Sequence, residues 1–109
     1  METARQTALN LLIKAEKGQA YSNLALNAAL VQSQLSAQDR SLVTALFYGV
    51  LERKITLDYV IQQYSNLKLN KISLDILSVL RMGVYQLAFM NAIPDSAAVN
   101  ESVMLAEYC

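Results

Sequence analysis

The chain has no histidine, one cysteine, one proline and three glycines in 109 residues. Without histidine, neither a Cys/His zinc site nor imidazole acid–base chemistry is available. The lone thiol, Cys109, excludes a disulfide framework within one chain. So few glycines and prolines do not suit an all-β chain built on tight turns. No apolar run is long enough to span a bilayer, and the opening METARQTALN has no signal-peptide core. The cytoplasm is the expected compartment. Nine basic residues balance nine acidic ones. Phosphate attraction would therefore have to come from a local patch.

What is present is apolar. The composition is 54% hydrophobic and 17% charged, against about 25% charged in average usage. The length suits one domain with its own core. Ala4, Ala8, Leu11, Leu12 and Ala15 share one helical face, and Gly18 ends that segment. Ser22 opens a second segment carrying Leu24, Leu26, Ala28 and Leu30. Ser36 and Asp39 have the spacing of a capping box before a third. That third segment is apolar nearly all round from Leu42 to Leu51, as expected at the centre of a bundle. Glu52, Arg53 and Lys54 mark its emergence, and Thr56 is the expected cap of a fourth helix with Leu57, Val60, Ile61 and Tyr64. Ser73 opens a fifth, with Leu74, Leu77, Leu80, Val84 and Leu87. Pro94, Asp95 and Ser96 form a turn and a cap before a last apolar segment. No strand alternation or internal repeat occurs. The reading is an all-α bundle of about six helices.

Enzyme signatures are missing. Gly18, Gly49 and Gly83 are too scattered for a phosphate loop, and the serines have no histidine to activate them. Cys109 has no base nearby in sequence. Arg81 lies among apolar neighbours in SVLRMGVYQL, so its guanidinium needs a carboxylate or carbonyls. Glu101 and Asp39 are the candidate partners in a structural ion pair; a ligand role is the alternative. Tyr48, Tyr59 and Tyr85 sit inside apolar segments and are expected in the core. Tyr21, beside Lys14 and Lys17 in the sequence, is better placed to meet a base.

Three stretches, AYSNLALNAAL, LSAQDRSLVTALFYGVLERKITLDYVI and LRMGVYQLAFMNAIPDSAAVNESVMLAE, closely resemble the NusB-like amino-terminal domain of bacterial ribosomal RNA cytosine-C5 methyltransferases, the Sun or RsmB family. The transcription antitermination factor NusB is similar in the last third. The resemblance implies an all-α, NusB-like bundle over residues 1–109 that binds RNA and contains no catalytic residue. In that family it precedes a catalytic domain, which holds S-adenosylmethionine and two cysteines; their motifs are absent here. No cofactor or metal is expected on this chain. The implied function is an accessory domain that positions small-subunit ribosomal RNA for a catalytic domain attached in cis. The rival is a protein-interaction bundle of NusB type, for antitermination or a ribosomal-protein partner, with weak or no RNA binding. The resemblance further implies a bundle incomplete at its carboxy-terminal end, lacking the final helix or helices. The closing helix would then line an exposed apolar groove, and a homodimer burying it is the expectation. NusB has an arginine-rich first helix, where this sequence has only Arg5. The expected RNA contacts are Arg5, Lys14, Tyr21, Arg40, Arg53 and Lys54. Arg5 and Lys14 fall on nearly opposite sides of an ideal helix, and a solvated charge run would account equally well for Arg40, Arg53 and Lys54.

Overall fold

A computed structural model describes residues 2–19 and 22–109. Among these residues five helices follow in order: α1 (Ala4–Glu16), α2 (Ser22–Gln32), α3 (Ala37–Tyr64), α4 (Leu74–Phe89) and α5 (Asp95–Tyr108). A single 3-10 turn, Leu69–Lys71, joins α3 to α4. Every regular element among the described residues is helical.

Local chemistry sets most of the ends. Thr3 caps α1 reciprocally with Gln6: the Gln6 backbone N–H donates to Thr3 Oγ1 at 3.1 Å, and the Thr3 N–H donates to Gln6 Oε1 at 3.0 Å. At the other end Gly18 takes φ +66°, and the Gln19 N–H turns back to the Lys14 carbonyl at 3.1 Å. This left-handed C-terminal closure favours glycine. Ser36 accepts from the Asp39 N–H at 3.1 Å to start α3, and Ser73 accepts from the Ile76 N–H at 3.3 Å to start α4. Pro94 stands at the start of α5 without a side-chain cap, and Asp95 already lies in the first turn.

Two expected helices are one. α3 runs through the ERK cluster and is kinked at Arg53, where φ −112° and ψ 15° leave the helical region. Thr56 is inside the helix and caps nothing. No glycine or proline stands there to end the helix, and only Arg53 departs from helical dihedrals. The kink lets Val43, Leu46, Phe47 and Val50 on one arm and Leu57 and Ile61 on the other all reach the core.

That core is built by α1, α3 and α4, with Leu9, Leu46, Phe47, Leu57 and Met82 fully enclosed. Gly49 of α3 admits the ring of Tyr85; a Cβ there would overlap it. The buried face of α4 is only partly the expected one: Leu77 is buried as expected. Ser78, Val79, Met82 and Gln86 turn inward, while Leu80 and Leu87 remain 38% and 45% exposed. α5 folds back on α4, burying Ala98 and Leu105 and setting Ser102 against Gly83. Val99 and Val103 of α5 stay exposed. α2 packs chiefly on α1 and, among the described side chains, buries only Leu26 fully; Leu24 and Val31 face outward. Leu24, Leu26 and Ala28 alternate by two, so a helix cannot bury them together.

Candidate nucleic-acid interface

The basic side chains fall into three environments, decided by what each guanidinium or ammonium meets. The first is a neutral cluster around one buried arginine. Arg81 is 6% exposed. Its Nε and Nη2 donate to the two carboxylate oxygens of Asp58 at 2.7 and 2.9 Å, a fork-to-fork pair. Nη1 reaches Glu16 Oε1 at 3.4 Å, and the same oxygen holds Lys54 Nζ at 2.6 Å. Two cations and two carboxylates thus tie α1, α3 and α4 together. The expected partners Glu101 and Asp39 are not involved. Asp39 lies in the first turn of α3, on the far side of the kink from Asp58, and Glu101 is on α5. Asp58 is available because it follows buried Leu57 on the arm that faces α4. Lys54 has its charge answered by Glu16 and is not a free cation.

The second environment is the carboxy-terminal end of α4. Arg5 of α1 donates from Nε to Gln86 Oε1 at 2.9 Å. Arg53, at the kink of α3, lies over the ring of Phe89 with Cζ 4.2 Å from its centroid. The Tyr85 ring also neighbours Phe89, tilted by 30° with centroids 5.6 Å apart. Gln86, which is buried, and Phe89, which is exposed, are one turn apart on α4 and so are neighbours along the helix. Two guanidinium groups from distant parts of the sequence therefore meet one helix end, where the dipole favours cations. Neither has a carboxylate partner among the described residues.

The third environment is dispersed. Lys14 lines a cleft of about 790 Å³ between α1 and α2, with Leu11, Gln19, Ala29 and Gln32. Arg40 borders a separate shallow hollow with Leu30, Val31 and Thr44. Tyr21 lies outside the described residues. Tyr48 and Tyr85 are half-buried, as expected of core-facing rings, but Tyr59 is 65% exposed, turned away from the side of α3 on which Asp58 meets Arg81.

Residue reading missed Gln86, Phe89, Asp58 and Glu16. Gln86 carried a signal of the same kind as Arg81: a polar residue inside the apolar run VYQLAF. The Arg53–Phe89 contact joins positions 36 residues apart and left no such trace. Among the described residues no group of three or more His, Cys, Asp or Glu side chains is placed to hold a metal. Partial burial, and then the Asp75 carboxylate, push the Cys109 thiol up, away from the reactive thiolate. Among the described residues no helix is long and apolar enough to cross a membrane.

These features define an all-α bundle in which Arg5 and Arg53, without carboxylate partners among the described residues, meet at the carboxy-terminal end of α4. The chain belongs to the NusB family, whose model matches residues 2–109. It is 42% identical over 105 residues to the probable ribosomal RNA small subunit methyltransferase B of Bacillus subtilis (strain 168), covering 96% of this chain and 23% of that protein. The Synechocystis protein of the same description is 37% identical over 107 residues, covering 98% of this chain and 24% of its own length. The transcription antitermination protein NusB of Ruminiclostridium cellulolyticum is 35% identical over 105 residues, with 72% of its length covered. The chain thus spans about a quarter of the two methyltransferases and most of the antitermination protein.

Proposed function

We propose that this chain is an RNA-binding accessory domain that positions small-subunit ribosomal RNA for an S-adenosylmethionine-dependent cytosine-C5 methyltransferase domain attached in cis. It performs no chemistry itself. The observation that carries the reading is its match along nearly the whole chain to the two small-subunit rRNA methyltransferases. The arginine pair at the end of α4 supplies a physical means. With only two or three phosphate contacts, affinity is modest and falls with salt. Modest affinity is sufficient for a tethered module, which acts by raising effective concentration.

A second reading, a protein-docking bundle of antitermination type, is favoured by the zero net charge and by the exposed Leu80, Leu87, Val99 and Val103. Titration of a labelled small-subunit rRNA fragment at two salt concentrations separates the two. RNA positioning requires binding that weakens with salt and with Arg5→Glu and Arg53→Glu. Binding indifferent to salt and to both reversals rejects it in favour of protein docking.

A further inference from the structure

Arg5 is the one half-buried basic side chain that meets no carboxylate among the described residues; Lys54 and Arg81, the other two withdrawn from water, both do. What it meets is an amide. Gln86 is 1% exposed, and its Nε2 donates to the Met82 carbonyl at 3.1 Å. That bond fixes which amide atom faces Arg5. A flipped amide would set its oxygen against the Met82 carbonyl and its NH2 against the Arg5 Nε–H. The single bond through Nε orients the guanidinium plane yet uses one of its five N–H donors. The donors on Nη1 and Nη2 have no partner among the described residues. A carboxylate at position 86 would hold the group equally well but cancel its charge, as Asp58 does for Arg81. The amide holds without neutralising.

We infer that Gln86 is a positioning residue: it presents Arg5 as a pre-oriented, uncancelled fork to one phosphodiester of the RNA. The inference rests on the RNA-binding reading above. A planar fork matches the paired oxygens of a phosphate, and fixing it beforehand removes part of the ordering cost of binding.

The test is anisotropy of a labelled small-subunit rRNA fragment across a salt series, with each protein's fold checked by thermal melting. Arg5→Ala weakens binding about tenfold at low salt and flattens the log–log salt slope by about 0.7 to 0.9. Gln86→Met leaves the charge and slope in place but weakens binding about threefold or more, since the fork is no longer held. In an Arg5→Ala background Gln86→Met does nothing further, because it acts only through Arg5. A purely structural glutamine would give the same loss in both backgrounds, which overturns the positioning role. Salt-dependent binding undiminished by Arg5→Ala overturns the site but spares the RNA reading; wild-type protein with no salt-dependent binding removes both. If Gln86→Met does not fold, the wild-type Arg5 Nε–H resonance decides. Protection from exchange and Nη shifts on adding the RNA fragment support the role; exchange as fast as that of exposed Arg40 overturns it.

Discussion

Removing the guanidinium of Arg81 would leave Asp58 without its bidentate partner and Glu16 with Lys54 alone. Breaking a fully buried pair costs roughly 3–5 kcal/mol. Here the two carboxylates keep 24% and 21% of their side-chain surface in water, so part of that cost is screened. Arg81→Ala is therefore expected to destabilise by about 2 kcal/mol, read as a lower denaturation midpoint at unchanged slope. Glu101→Ala should shift the midpoint far less, since Glu101 is not in the cluster. A matching loss for both would refute the assignment. The contrast between Arg81 and Arg5 is one of partner chemistry. A carboxylate balances an arginine's charge within the fold; an amide holds the group and leaves its charge unbalanced.

At the scale of the element, α4 carries two apolar faces. One, with Val79 and Met82, is enclosed by α1 and α3; the other, with Leu80 and Leu87, is not enclosed. Periodicity registers both and ranks neither, because a three- and four-residue repeat is satisfied on either side of the same helix. Substitutions give the ranking directly. Met82→Ala opens a cavity and should cost about 2–5 kcal/mol. Leu87→Ser removes partly wet surface and should cost under about 1 kcal/mol. Equal losses in urea denaturation would mean that both faces are buried. α3 presents the converse case: ERK suggests an exit into solvent, yet the helix passes through it with a kink. Arg53, the residue at that kink, is thereby laid on Phe89.

Over the whole molecule, stability is unevenly shared. α1, α3 and α4 hold most of the enclosed side chains, whereas α2 contributes Leu26 and rests chiefly on α1. Local opening is cheapest where fewest apolar contacts must be broken. Native-state hydrogen exchange should therefore show α2 amides opening at a lower free energy than those of α1, α3 and α4. Uniform protection across all five helices would contradict that order. The same uneven packing leaves Leu24 and Val31 of α2, and Val99 and Val103 of α5, on the surface of a chain with no net charge.

The sequence by itself determined the helical class, the caps at Ser36 and Ser73, the stop at Gly18 and the need of Arg81 for a countercharge. Each depends on neighbours a few residues away or on one side chain's desolvation cost, and both can be read along a line. Only the tertiary structure decided that the countercharge is Asp58 rather than Asp39 or Glu101. The same is true of the join between two expected helices, the exposure of Leu80 and Leu87, and the meeting of Arg5 and Arg53 at Gln86 and Phe89. Those outcomes depend on how helices pack across 81 residues of separation between Arg5 and Gln86. Side-chain periodicity fixes which faces a helix has, but burial is assigned by the neighbours that arrive.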